Sequence, residues 1–270
     1  MKVLIYFAVH QRIEILKVCL KGIQRLKQNK EIEFSSLAVC SSKSEAKLLK
    51  AHGCHVVLTE NEPLGRKKNT GLHEALKLEW DYLMELGSDD LIHESLMEIY
   101  MPLMRDGIDF FGVKRVMFYD TISKQVARWE NEFPIGAGRM IKRTVFDGIK
   151  SKVSIRITKH FANQHMLGIP GKVLTVSSQI ADDLIRSGLA EGVETIPGTL
   201  WNYEQMSGLD TNSMLTICAN GFKIHTVESE YWQVLDIKSE QNINTFDWFE
   251  TVDYDVLKHY ENEAEMIRRL

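Results

Sequence analysis

In Met1-Lys-Val-Leu-Ile-Tyr-Phe-Ala-Val9 an unbroken apolar run follows Lys2, and a strand is expected over residues 2–9. Such a run reads as a strand buried on both faces. Leu16, Cys19, Leu20 and Ile23 then recur at helical spacing, which predicts an amphipathic helix over roughly 11–28. Phe34–Cys40 reads as a second strand, and Ser44–Ala51 as a helix that stops near Gly53. His55–Leu58 is a third strand, followed by a polar loop over 60–69 and a helix over 70–79. Tyr82–Leu86 is a fourth strand that runs straight into Gly87-Ser-Asp-Asp90. A helix over about 93–104 and a strand Phe110–Val113 complete the first half.

This alternation predicts an α/β fold with a mostly parallel sheet flanked by helices. In such folds ligands sit beyond the carboxyl ends of the strands. His10-Gln-Arg12, the 60–69 loop and Ser88-Asp-Asp90 all leave those ends, so they are expected to converge on one crevice. The second half is less regular. Arg115–Tyr119 and Gln125–Trp129 resemble a hairpin around Asp120-Thr-Ile-Ser-Lys124. Residues 151–195 read as a small inserted unit: Val153, Ile155 and Ile157 alternate, Lys172–Val176 is a strand, and 178–190 is a helix ending near Gly192. A helical tail is expected over 253–269. The division that follows is a core over 1–145, an inserted unit over 146–195, and an acceptor-side and C-terminal region of the same domain over 196–270.

A chain of 270 residues suits one large domain. Apolar residues make up 44% and charged ones 26%, as in ordinary globular proteins. The net charge of −4 gives no overall pull toward nucleic acid. No apolar run approaches the ~18 residues of a membrane span. His10, Arg12 and Glu14 interrupt the first apolar run too soon for a signal peptide. The four cysteines form no Cys-X-X-Cys pair, which fits reduced thiols and a cytoplasmic protein. His52, Cys54 and His55 lack the second ligand pair that a zinc site needs.

Asp89 and Asp90 are the strongest chemical signal. Two adjacent carboxylates at the mouth of a parallel sheet suit Mg²⁺ or Mn²⁺ bridging a diphosphate; the competing reading is a helix cap. Gly65-Arg-Lys-Lys-Asn-Thr-Gly71 places cations beside a helix start, suited to a diphosphate or equally to a solvated turn. Asp210 precedes an apolar helical pattern, where the helix N-terminus favours its ionised, proton-accepting form. It also suits an N-cap, and Glu204 is the competing base. Gly136-Ala-Gly-Arg-Met140 reads either as an acceptor or phosphate wall containing Arg139, or as a tight turn. His225 is a candidate late metal ligand or a hydrogen-bonded strand histidine. Trp129, Trp201 and Trp232 are sugar-stacking candidates whose ordinary fate is core packing.

Together these segments resemble the family 2 glycosyltransferases, an inverting group with the GT-A fold, a Rossmann-like sheet. Val9-His-Gln-Arg-Ile-Glu-Ile-Leu16 is similar to the family's nucleotide-base loop, which implies donor contacts from Val9, His10 and Arg12. Asn61 through Lys68-Asn-Thr-Gly71 resembles its basic-residue–Asn–X–Gly segment, implying that Asn61, Lys68 and Asn69 contact the donor. Ser88-Asp-Asp90 resembles the metal motif, and Gly208-Leu-Asp210 sits where the family places its catalytic carboxylate. Two departures stand out. Gly87 replaces a frequent acid, and Ser41 and Ser42 replace the acid usual after the second strand. The resemblance implies a nucleotide-diphosphate sugar donor, a glycan or other hydroxyl acceptor, Mn²⁺ or Mg²⁺, and direct displacement with Asp210 as base. A sugar nucleotidyltransferase would carry a glycine-rich loop after strand one, where this chain has Ala-Val-His-Gln-Arg. A dinucleotide oxidoreductase is disfavoured by the lack of Gly-X-Gly-X-X-Gly. Gly87 keeps a non-catalytic binding module open.

Overall fold

The computed structural model describes residues 1–149, 152–162, 167–196, 200–201, 209–239 and 246–270. In chain order the first half runs β1 (Lys2–Ala8), α1 (Ile13–Leu26), β2 (Glu33–Cys40), α2 (Lys43–Ala51), β3 (His55–Leu58), α3 (Leu64–Ala75), β4 (Tyr82–Gly87), β5 (Asp90–Ile92), α4 (Leu96–Arg105) and β6 (Phe110–Val113). Then come β7 (Arg115–Asp120), β8 (Val126–Glu130), β9 (Arg139–Lys142) and α5 (Arg143–Gly148). The remainder is β10 (Lys152–Ile157), β11 (Phe161–Ala162), β12 (Leu167–Gly168), β13 (Val173–Ser177), α6 (Ser178–Arg186), β14 (Ala190–Ile196), α7 (Leu209–Ala219), β15 (Ile224–Val227), β16 (Val234–Lys238), β17 (Glu250–Val252) and α8 (Glu261–Arg269).

The expected α/β architecture is present. Seven strands make one sheet in the order β15-β6-β9-β4-β1-β2-β3. β9 alone runs against the others, pairing antiparallel with both β4 and β6. The apolar run of β1 is buried because both faces of the sheet are covered. Val3, Ile5 and Phe7 point into a core shared with α1, α2 and α4. Leu4 and Tyr6 point the other way, into a core shared with α3, α5 and α7. The period of two in the strand thus feeds two helical layers.

The chain departs from the sequence reading in several places. The loop expected over 60–69 is mostly helix, because α3 starts at Leu64. Its inward face carries Lys67, Lys68 and Asn69, all buried, so the face lacks the apolar period that marks a helix. Residues 90–92 form a strand before α4 begins. The inserted segment holds a three-stranded sheet, β13-β10-β14, with Ile155, Val176, Ala181 and Leu184 in its own small core. Its helix ends at Arg186, and Gly192 lies within β14. The tail helix is confined to α8, after a short turn of 3₁₀ helix over Val256–His259.

A second sheet, β17-β8-β7-β16-β5, was not anticipated. It contains the expected hairpin as the antiparallel pair β7–β8. Its outer core joins Leu91, Met117, Leu235 and Ile237 to Ile15 and Val18 of α1 and to Ala264 and Ile267 of α8. All four cysteines are free thiols. No helix among the described residues is long and apolar enough to cross a membrane.

α3 packs on the sheet through Gly71, where an added Cβ would overlap the Val39 side chain and lie 2.7 Å from the Tyr6 hydroxyl. Gly71→Ala is therefore expected to destabilise the fold by about 1–3 kcal/mol through overpacking. The midpoint of urea unfolding measures this.

Candidate active site

The site begins where β4 ends. Gly87 closes that strand, the chain turns through Ser88 and Asp89, and Asp90 opens β5. β5 pairs antiparallel with β16 in a register that sets Asp90 opposite Asp236. Ligand atoms of Asp89, Asp90 and Asp236 consequently lie within 4.8 Å of one another. Asp236 was not identified from the sequence, although an acid between Leu235 and Ile237 in a buried strand is a legible anomaly. Gly87, where the family resemblance expected an acid, is constrained by this cluster. A Cβ there would stand 2.7 Å from Asp89 Oδ1 and 2.9 Å from Asp90 Oδ2. The third carboxylate therefore arrives from β16 rather than from the end of β4.

Three carboxylates this close repel, and the site counters them with fixed donors. Arg12 Nη1 donates to Asp89 Oδ2 at 2.6 Å, and Arg12 Nη2 to Ser88 Oγ at 3.2 Å. Lys238 Nζ donates to Asp236 Oδ2 at 2.7 Å. The Gly87 amide donates to Asp90 Oδ2 at 2.5 Å. Even so, burial and then Asp236 and Asp89 push the Asp90 carboxyl well above its ordinary range. Burial lifts Asp236 to about 6 against the pull of Lys238. Asp236 Oδ1 is buried with no hydrogen-bond partner among the described residues. A compact set of hard oxygen donors, still repelling and with one orphaned oxygen, fits a small divalent cation such as Mn²⁺ or Mg²⁺.

The acidic cluster opens onto a cleft of about 540 Å³. Lys68 lines its floor and is ion-paired to Glu85, which is 2% exposed. Arg139 completes the group from β9, donating to Glu85 Oε2 through Nη2 at 2.5 Å and Nε at 3.1 Å. Burial alone would raise the Glu85 pKa, but Arg139 and then Lys68 outweigh it and hold the carboxylate below its usual range. Arg139 is fully buried. Its side chain is turned to Glu85 and is not among the residues that line the cleft, where direct donor contact was the expectation. Gly136 and Ala137, from the glycine-bracketed segment, do line the cleft.

The expected base-side residues meet at a lysine that the sequence reading did not single out. Lys67, 1% exposed, donates to the Val9 carbonyl, to Ser41 Oγ at 2.8 Å and to Asn61 Oδ1 at 3.0 Å. Burial draws its pKa down to about 8. Beside it, Glu45 Oε1 accepts from the Gln11 amide at 2.6 Å, and Oε2 accepts from the Ser41 and Ser42 amides at 3.0 Å. Glu45 thereby ties the ends of β1 and β2 to the first turn of α2, as part of a Ser42–Glu45 capping box. Gln11 and Arg12 both adopt left-handed backbone conformations, with φ of 55° and 51°. Each such non-glycine residue costs about 1–2 kcal/mol, so this turn is held by its contacts. His10 is exposed at the same turn.

Other candidates fall elsewhere. Asn69 is fully buried and spends its amide on the Trp201 backbone, donating to the carbonyl at 2.7 Å, so its side chain anchors that segment. Trp201 is fully buried, stacked on Tyr6 with its ring 4.6 Å from Lys68 Nζ. Trp232 stacks on His259 at 4.0 Å, away from the cleft. Trp129 is exposed on the cleft wall. His225 is exposed on β15, the edge strand, with β6 and β9 between it and β4. The structure does not bring it to the carboxylates, where the third acidic side chain is Asp236. Asp210 is the second residue of α7, and Glu204 lies outside the described residues.

No protein-family model and no curated protein matches the chain. Solved structures do resemble it. A mannosyltransferase from Pyrobaculum calidifontis in complex with GDP-Man and Mn²⁺ is 11% identical, with 91% of this chain and 59% of that chain covered and a TM-score of 0.49. S. aureus TarS 1–349 is 12% identical, with 88% and 60% covered and a TM-score of 0.47. CMP:2-keto-3-deoxy-manno-octonic acid synthetase complexed with CTP is 11% identical over 100% of both chains, with a TM-score of 0.41. The chain thus spans 59% and 60% of the first two structures. Such distant likeness of chain path says nothing about chemistry, which rests on the residues of the cleft.

Glu85 is the anion between two buried cations. Glu85→Gln is expected to destabilise the protein by about 3–5 kcal/mol, because Arg139 and Lys68 lose their shared partner. Equilibrium urea unfolding would show it.

Proposed function

We propose that the chain is a metal-dependent glycosyltransferase that moves a sugar from a nucleotide-diphosphate sugar to an acceptor hydroxyl with inversion. The observation that carries this reading is the convergence of Asp89, Asp90 and Asp236 within 4.8 Å at the mouth of a cleft floored by Lys68. Asp89, Asp90 and Asp236 would hold Mn²⁺ or Mg²⁺, which supplies Lewis-acid neutralisation of a departing diphosphate. The chain's own cations add to that field. Lys68 lies in the cleft and Arg12 at its edge, both already oriented by ion pairs, so little reorganisation accompanies the development of charge.

The base and ribose of the donor are assigned to the turn around His10, Gln11 and Ser41, beyond the ends of β1 and β2. Lys67 keeps that turn in its strained conformation by tying Val9, Ser41 and Asn61 together. Asp210 is assigned the role of general base. It would take the acceptor's proton as the acceptor oxygen attacks the anomeric carbon opposite the departing diphosphate. In support, Leu209 beside it packs in the same apolar cluster as Trp201, whose ring lies over Lys68. Glu204 is the alternative base.

The first test is a thermal-shift screen of nucleoside diphosphates with Mn²⁺, since a ligand of the folded state raises its apparent stability. At least one nucleoside diphosphate should raise the melting temperature only with the metal; a flat screen would overturn the proposal. Gly87→Ala should weaken Mn²⁺ binding roughly 10–100-fold in calorimetry by pushing Asp89 and Asp90 out of position. Asp210→Asn should slow sugar transfer by about 10²–10⁴ while leaving nucleotide binding intact. An Asn variant that keeps most of its rate would remove Asp210 from the mechanism.

A further inference from the structure

We infer that the aromatic wall of the carboxylate cleft is a saccharide platform, so that the acceptor of the proposed reaction is a glycan. The wall is built from Phe118, Trp129, Trp248 and Phe249, all lining the cleft that contains Asp89, Asp90 and Asp236. Trp248 is 72% exposed and Trp129 40%. Scattered apolar residues on a surface need no explanation, but two indoles turned into one polar cleft do.

The wall is also braced. Phe249 stacks on Phe118 with centroids 4.0 Å apart and planes at 28°, and meets Trp129 edge-on at 6.4 Å. Lys238 Nζ lies 4.7 Å from the Phe118 centroid while donating to Asp236 at 2.7 Å. An unbroken series of contacts therefore runs from a cluster carboxylate to the exposed indole of Trp129, and Trp248 adjoins Phe249 in the chain. The cleft is thus mixed in character, with aromatic rings, carboxylates and cations sharing one lining.

A pyranose ring has matching chemistry. Its axial C–H groups form an apolar face that stacks on an aromatic ring, and its rim of hydroxyls requires polar partners. A gluco- or galacto-configured ring laid on Trp248 or Trp129 would bring its hydroxyls into the cleft that the acidic cluster also lines. A lipid chain would need an apolar lining throughout, and here Lys68, Lys238 and three aspartates share it. The nucleobase is assigned to the other side of β4, at the ends of β1 and β2, so it does not compete for this wall.

The acceptor role rests on the proposed transferase reading, but the platform can be tested without donor or metal. The metal-free protein is titrated with cellobiose, lactose, maltose and N,N′-diacetylchitobiose, and binding is read by tryptophan fluorescence and by saturation-transfer NMR on the sugar. At least one disaccharide should bind at millimolar concentration. Trp248→Ala and Trp129→Ala should each weaken it about tenfold, with Trp248→Phe retaining most of the affinity. Unchanged melting temperatures of these variants would separate lost stacking from lost folding. The platform is overturned if no disaccharide binds, if Trp248→Ala and Trp129→Ala bind as well as the parent, or if uridine or guanosine quenches the fluorescence in place of sugar. Saccharide binding in a protein that binds no nucleoside diphosphate with Mn²⁺ would overturn the transferase and leave the platform standing.

Discussion

Asp90 and Asp236 face each other across an antiparallel strand pair, and like charges in that position repel. With Asp89 beside them, three carboxylates occupy a space in which a water-exposed protein would spread them apart. The register of β5 on β16 imposes this arrangement, and that register is fixed by the burial of Leu91, Leu235 and Ile237 in the second sheet. A one-residue slip would turn those apolar side chains to the wrong face, so hydrophobic packing supplies the free energy that holds the acids together. The main sheet contributes the other half of the constraint by ending β4 at Gly87, the one residue type with no side chain to drive the carboxylates away.

The surrounding charges follow from that strain. Arg12 and Lys238 each cover one acid from a different element, and neither covers the cluster completely. A layer below, Glu85 balances Lys68 and Arg139, so that a cation reaches the cleft floor without an unpaired charge in the core. The left-handed residues Gln11 and Arg12 belong to the same design. Arg12 reaches Asp89 only from that turn, and Glu45 secures the turn through the Gln11 amide. Backbone strain, buried ion pairs and crowded carboxylates thus occupy one end of the sheet, where function commonly concentrates them.

How much of this was legible from the sequence depended on whether burial left an apolar trace. The strands of the first half and the meeting of Arg12, Ser88 and Asp89 could be read, because apolar runs flanked by polar turns define the ends of a parallel sheet. The start of α3 could not. Lys67, Lys68 and Asn69 are buried in order to make specific polar contacts, and buried polar residues look like solvent-facing ones in a pattern. The second sheet was hidden for another reason: β5 is a strand of three residues, and β16 joins it from far along the chain. Arg139 was legible as a cation near the site but not as one facing inward, since only the depth of β9 decides that.

The pairing of Gly87 at the end of β4 with an aspartate at 236 bears on how such sites should be recognised. A motif search scores neighbours in sequence, and by that measure Gly87 marks a damaged metal site. The requirement of a hard cation is different. It needs several oxygen atoms at short range, some of them insufficiently neutralised by the protein, whatever strand each comes from. Asp236 meets that requirement, because its Oδ1 lacks a hydrogen-bond partner among the described residues and its position is set by a ladder rather than a loop. The glycine and the distant aspartate are then two halves of one solution. The space that a side chain at 87 would need is taken by the acids themselves, and the carboxylate that cannot enter from β4 comes from the adjoining sheet. On this reasoning Gly87 is compatible with a metal centre whose ligands come from two sheets, as the proposed function requires.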